Sequence, residues 1–160
     1  MSRRMPHRPA VTMRTHEVFA IAHDLADRLG HADVTPSHVL LAMLREGRSP
    51  AMMVLYVLGV PLEELERELE SDLSVPPRTQ LPASDHSWTE NDEEILQRAG
   101  IESRGIRHSY IGCEHLLLAF LSDDSSAAAG LLARHGVHLA NARAAVLHVM
   151  GAPPEWITGL

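Results

Sequence analysis

Eleven histidines and one cysteine are where chemistry could begin in this chain. Four of the histidines form two pairs with the same seven-residue spacing, His31/His38 and His108/His115. Cys113 and Glu114 stand directly before His115. Imidazole, thiolate and carboxylate are the usual zinc ligands, and a cysteine near a histidine is the raw material of a nucleophilic pair. The spacing argues against both. A turn separates the members of each histidine pair, and Cys113 and His115, two residues apart, diverge on a helix. Neither C-x-x-C nor H-E-x-x-H occurs. The expectation is therefore no metal, no cofactor and no catalytic residue. His38 and His115 read as buried groups tying turns between helices, and Cys113 as a packing residue or free thiol. A small helical metal-dependent hydrolase using the histidines stands as the alternative reading.

The totals narrow the classes further. A chain of 160 residues is one domain, or two small units sharing a core. Its apolar fraction is 45% but only 4% is aromatic, so Leu, Val, Ala and Met must fill the interior. A net charge of −7 argues against a partner bound through nucleic-acid phosphates. All basic residues are arginine, which excludes a P-loop lysine and Schiff-base chemistry. The lone cysteine excludes an internal disulfide and fits a reducing, cytoplasmic setting. No apolar run reaches the roughly 18 residues of a membrane span, and Met1–Ala10 lacks the apolar stretch of a signal peptide. That segment reads as a flexible basic arm.

The histidine spacing is part of a longer repeat. Shifting the chain by 77 residues aligns 31–70 with 108–147 without a gap and matches 12 of 40 positions. Among them are His38/His115, Leu40/Leu117, Leu41/Leu118, Ala42/Ala119, Gly59/Gly136 and Val60/Val137. Chance would supply about one match in fifteen, so a tandem duplication is the simplest account. Repeat one spans 11–73, a proline-containing linker 74–87, repeat two 88–150 and a non-helical tail 151–160.

Each repeat reads as four helices. In repeat one Thr12 caps the first, and Val18, Ile21, Ala22, Leu25 and Leu29 give it helical spacing before Gly30 stops it. Thr35-Pro36 and Ser49-Pro50 each place a cap before a proline at the first helical position. Pro61 opens the fourth, with a buried stripe of Leu62, Leu65, Leu69 and Leu73 and an acidic, solvated outer face. In repeat two Thr89 opens a first helix weakened by Gly100 and Gly105. No segment alternates for long enough to predict a strand. The phrases "HVLLAML" and "HLLLAFL" are apolar on nearly every side, so both second helices belong at the centre, packed between the repeats. The fold class is all-α: eight helices as two tandem four-helix repeats with pseudo-twofold symmetry. A monomer is expected, and Met52, Met53 and Trp156 are the candidates for self-association.

The run of "RLGH", a capped "xxHxLLAxL" helix and "LxxxGV", written twice, resembles the Clp N-terminal repeat domain. That domain is the docking module for substrates and adaptors at the front of ClpA-, ClpC- and ClpB-type unfoldases. The resemblance runs from about Val11 to Met150 and is nearest the ClpC type, whose copies both carry "GTEHILLGL". In those proteins two ATPase rings follow, so it implies a free-standing, motorless domain. The implied function is a non-enzymatic binding module that serves a ClpC-type ATPase, its substrates or adaptors as adaptor, regulator or decoy. Implied ligands include phosphoarginine and cyclic peptides.

The resemblance also implies a site. The ClpC-type glutamate before the histidine helps bind phosphoarginine, since a carboxylate accepts paired hydrogen bonds from a guanidinium. Glu114 matches that glutamate in repeat two, whereas Ser37 replaces it in repeat one. Thr12 and Thr89 match the helix-starting threonines; Arg14 is kept in repeat one but becomes Asn91 in repeat two. Trp88 stands where the family has an aromatic. Each of these also has a plainer role. Glu114 suits the positive end of a helix, Ser37, Thr12 and Thr89 suit caps, and Trp88 suits a hydrophobic staple onto the following helix.

Overall fold

The computed structural model describes residues 8–74 and 88–151. Most of the expected linker and tail, Trp156 and the first seven residues of the arm lie outside the described residues. Eight helices form among the described residues: α1 (Met13–Leu29), α2 (Pro36–Glu46), α3 (Pro50–Val57), α4 (Leu62–Leu73), α5 (Glu90–Gly105), α6 (Cys113–Leu121), α7 (Ala127–Arg134) and α8 (Leu139–Val149). Every helix start in the first set recurs 77 residues later, as Met13 and Glu90, Pro36 and Cys113, Pro50 and Ala127, and Leu62 and Leu139 show. The duplication in sequence is thus a duplication in structure.

Local signals account for the ends. Thr12 Oγ1 accepts the Thr15 N–H at 3.3 Å, and Ser126 Oγ accepts that of Ala129 at 3.0 Å. Gly30, with φ 70°, closes α1 in the left-handed region, where a side chain would strain the backbone. Proline opens α2 and α3, where its missing N–H costs nothing.

The centre is built as the apolar pattern requires. Every residue from Ser37 to Met43 and from Cys113 to Leu121 is buried. Helix α2 packs on α1 and α4 within its repeat and on α7 across it; α6 packs on α5, α7 and α8 and reaches across to α3. Each central leucine so covered contributes about 1.5–3 kcal/mol. The two central helices touch each other only lightly, so the repeats are joined by α3 packing on α8 and by each central helix meeting the third helix of the other repeat.

Two expectations need correction. A strand does form, though a minimal one: β1 (Ala10–Val11) pairs in parallel with β2 (Tyr110–Ile111). The last part of the arm is correspondingly docked. Arg8 pairs with Glu93, and Thr12 donates its N–H to the Ile111 carbonyl at 3.0 Å. Gly100 lies under the docked arm, where a β-carbon would stand 3.4 Å from Pro9 Cδ and 3.7 Å from Ile111 Cδ1, close to ordinary contact distance. Met52 is also corrected: it is 7% exposed and part of the core, whereas Met53, 52% exposed, faces outward.

One hydrogen-bonded device occurs identically in both repeats. His38 Nδ1 accepts the Thr35 N–H at 2.9 Å, and His115 Nδ1 accepts the Gly112 N–H at the same distance. With Nδ1 occupied as an acceptor, Nε2 carries the proton and donates to Nδ1 of His31 or His108, each at 2.8 Å. Protonating either buried ring would set an N–H against the capping N–H. Burial, with the neighbouring histidine adding to it, lowers His38 to about 4 and His115 to about 3. Asn141 makes the equivalent bond at α8, its Oδ1 accepting the His138 N–H at 2.8 Å.

Because both folded values lie below the unfolded 6.5, the unfolded chain takes up protons that the native one refuses. Stability from these rings is complete above pH 6.5 and falls as the pH drops towards 4, by at most about 1.4 kcal/mol per pH unit for each ring. Urea midpoints should decline between pH 6.5 and 5, and the double change His38→Asn, His115→Asn should flatten that decline. A midpoint independent of pH in the native sequence would contradict it.

Candidate functional site

The pseudo-symmetry creates two clefts of the same design. Each is made by the start of one repeat's first helix, the end of its second, and the start of the second helix of the other repeat. In one cleft these are α1, α2 and α6; in the other α5, α6 and α2. The residues singled out from sequence divide between them: Thr12, Arg14 and Glu114 fall to the first cleft and Ser37 to the second, while Thr89 and Trp88 are not among the residues lining the open cavity.

The first cleft is occupied by the chain's own side chains. Arg14 reaches Glu46 at 2.8 Å across the gap between α1 and α2. Thr12 and Thr15 hydroxyls are 2.8 Å apart, and Thr15 Oγ1 lies 3.7 Å from Cys113 Sγ. Glu114 is 1% exposed and does not face solvent. It folds back over the α-carbon of Gly112, where a β-carbon would stand 2.5 Å from its Oε2 and 2.8 Å from its Oε1. Its Oε1 has no hydrogen-bond partner among the described residues. Burial, reinforced by the Glu114 charge and its hydrogen bond, pushes the Tyr110 phenol well above the usual range. In repeat one the pair Gly112–Glu114 is Thr35–Ser37, a residue with a β-carbon and one too short to reach over it.

The second cleft is open. A cavity of about 370 Å³ lies between Ser37, Asn91, Glu94, Arg98, Phe120 and Asp123. Val34, Ile95 and Phe120 give it a buried apolar floor. Ser37 is 6% exposed, and its hydroxyl makes no hydrogen bond to another described residue. Asp123 Oδ1 accepts from the Ser125 N–H at 3.1 Å and hydroxyl at 2.6 Å. These bonds, with the Arg98 charge, hold its carboxyl below the usual carboxylate value. Thr89 serves as a cap, accepting the Asp92 N–H at 3.2 Å, while Asp92 returns the favour to the Thr89 N–H at 3.0 Å. Asp92 also binds His23 Nε2 at 2.7 Å, which ties α5 to α1.

Trp88 reaches beyond its own helix. It packs across the repeat boundary on α1, edge-on to Phe19 and tilted over His16, each at 5.0 Å between ring centres. Glu94, Arg98, Phe120 and Asp123 were missed from sequence. Their signal was present, since the 77-residue shift pairs them with Glu17, Ile21, Met43 and Glu46.

Cysteine and histidine chemistry finds no opening here. Burial pushes the Cys113 thiol up to about 11, the Thr15 hydroxyl offsetting part of this and Glu114 and Glu46 adding to it. His108, Glu114 and His115 bring donor atoms within 4.8 Å of one another, the closest approach to a metal-ligand set among the described residues. Both nitrogens of His115 are already engaged, however, and the same histidine pair is built in repeat one without a carboxylate. The trio is therefore explained as a structural relay.

Paired four-helix repeats, each helix start recurring 77 residues later, define a class of fold: a duplicated all-helical domain. The Clp repeat N-terminal domain family matches residues 10–148, and the chain belongs to it. It is 34% identical over 88% of its length to the negative regulator of genetic competence ClpC/MecB of Bacillus subtilis. To the chaperone protein ClpB of Oceanobacillus iheyensis it is 32% identical over 88%. In both cases the match spans only 17% of the relative. Among solved structures, the N-domain of ClpV from Vibrio cholerae aligns over 97% of this chain and 98% of that one, with TM-score 0.74 at 17% identity. A complex of the ClpV N-domain with VipB peptide aligns over 96% and 99%, with TM-score 0.70 at 18% identity. The all-helical duplicated fold expected from the sequence is the fold of this family.

Two measurements test the cleft chemistry. Cys113 should resist iodoacetamide at pH 8 in the native protein and react promptly once unfolded; native alkylation at the rate of a free thiol would refute its burial. Gly112→Thr should cost about 1–3 kcal/mol through collision with Glu114. Adding Glu114→Ser should recover part of that, with a coupling of at least about 0.5 kcal/mol in a double-mutant cycle. Strict additivity would show that the two residues do not constrain each other.

Proposed function

We propose that this chain is a non-enzymatic binding module of the Clp proteolysis system. It docks peptide segments of substrates or adaptors in its inter-repeat cleft, acting in the cytoplasm as adaptor, regulator or decoy of a ClpC-type unfoldase. The observation that carries this reading is the open cavity of about 370 Å³ at the junction of α2, α5 and α6, with the Ser37 side chain on its wall. An apolar floor with a few converging polar groups is the usual form of a small-ligand site. Family membership supports it, as does the fold shared with a ClpV N-domain that is solved with a peptide.

The two clefts are not equivalent in this role. In the open one, Ser37 and Asn91 replace the carboxylate and the guanidinium that the ClpC-type resemblance would place there. Losing one charge-assisted contact weakens phosphoarginine binding by roughly ten- to a hundredfold. In the closed one, a ligand must first separate Arg14 from Glu46. Trp88 is engaged by both Phe19 and His16, which restricts its part in holding a cyclic peptide. The hydrolase alternative receives no support, since His38 and His115 have both nitrogens occupied and Cys113 is a buried, raised-pKa thiol.

Amide chemical-shift mapping tests the proposal directly. Peptides cut from a denatured Clp substrate should perturb Ser37, Asn91 and Asp123, and an added ClpC-type N-domain should compete for the same peptides. Peptide binding that leaves these three residues unmoved would defeat the assignment.

A further inference from the structure

The third helices of the two repeats differ in what they carry outward. On α3, Met53, Tyr56 and Val57 share one face at helical spacing and are 52%, 71% and 47% exposed. The shift of 77 residues places them on Gly130, Ala133 and Arg134 of α7. An apolar ridge on α3 thus corresponds to a hollow on α7. That hollow is a second cavity, of about 360 Å³, with Gly130 and Ala133 on its wall and the buried Leu121, Ala129 and Val137 beneath it. It shares no lining residue with the open cleft. We infer that the α3 ridge of one copy of this chain seats in the α7 hollow of a second copy, in a head-to-tail contact.

Charge, shape and composition favour a second copy as the occupant. Arg48, just ahead of α3, is exposed and makes no ion pair among the described residues. Asp124, just ahead of α7 on the rim of the hollow, is exposed and equally unpaired. Laying α3 of one copy along α7 of the next, both running the same way, brings these opposite charges together. Gly130 has an ordinary helical backbone, and a β-carbon there would meet nothing within 4 Å. Neither its conformation nor crowding within the chain calls for glycine in the middle of α7, where it weakens the helix relative to alanine. Its bare backbone instead admits a side chain from outside. Methionine and tyrosine are residues that protein interfaces favour, since both bring large contact area at an exposed position. The net charge of −7 opposes the approach of like copies, so the contact is weak and the dilute chain a monomer. Each copy in such a contact keeps a free ridge or a free hollow, so association does not stop at two.

The test is sedimentation equilibrium of the full chain at concentrations up to millimolar. The average mass should rise with concentration and pass that of a dimer. Gly130→Gln fills the hollow with a side chain of methionine's length, and Met53→Gln with Tyr56→Ser removes the ridge. Both changes fall at exposed positions, and circular dichroism confirms that each variant is folded. Either should weaken self-association about tenfold or more. Mixed in equal amounts, the two variants should form a one-to-one complex that grows no further, because together they hold one intact ridge and one intact hollow. Arg48→Glu should weaken the contact, and adding Asp124→Arg to the same chain should restore it. A native chain that stays monomeric, a native dimer that grows no further, native-like association of either variant, or a mixture that stays monomeric would overturn the inference. A monomeric native chain whose Tyr56 amide shifts on removal of residues 152–160 would assign the ridge to the chain's own end instead. None of these outcomes bears on the docking role proposed for the open cleft, which this contact does not use.

Discussion

A helix that is apolar all round must be covered all round, and this chain contains two of them. Neither α2 nor α6 can find enough cover within its own repeat. Each borrows the third helix of the other, α7 for α2 and α3 for α6. The cover cannot be completed by one repeat alone, which is why the duplication folds as a single unit with one continuous core. The clefts follow from that exchange. Wherever the second helix of one repeat enters beside the first helix of the other, a junction of three helix ends is left, and it occurs twice.

Entry of a polar helix end into such a core leaves donors to satisfy. The histidine three residues into each central helix does this with both nitrogens, taking the capping N–H on one and reaching the preceding turn with the other. The ring must be neutral to accept at Nδ1, so burial and the hydrogen bond enforce the same protonation state. This gives the duplicated histidines a structural explanation that requires neither a metal nor a reaction.

The junctions themselves have been free to diverge, because their polar residues sit around the core and not within the shared apolar contacts. One has been filled: Arg14 and Glu46 bridge it, and Glu114 lies back over a glycine that leaves it room. The other has been emptied by shorter residues at each corresponding place, Asn91, Asp123 and Ser37. The same backbone thus presents a sealed cleft and an open one. The difference rests on three side-chain exchanges and on Thr35 standing where Gly112 permits the glutamate to fold.

Helix count, order, capping and the placing of both central helices were legible in the chain, because helical periodicity, cap residues and glycine stops act over a few neighbours. The repeat was equally legible, since identity at a fixed shift needs no geometry. What remained hidden depends on residues far apart. Nothing near Ala10 announces its pairing with Tyr110, because a two-residue strand has no periodicity to read. Nothing near Trp88 shows that it leans on Phe19. Glu114 read as a ligand-binding anchor, and the structure instead buries it, its carboxylate folded over Gly112. Sequence alone determined the elements and their duplication, through forces that are local or additive. Tertiary structure alone decided which cleft is open, because closure depends on an ion pair between helix ends brought together only when the repeats dock.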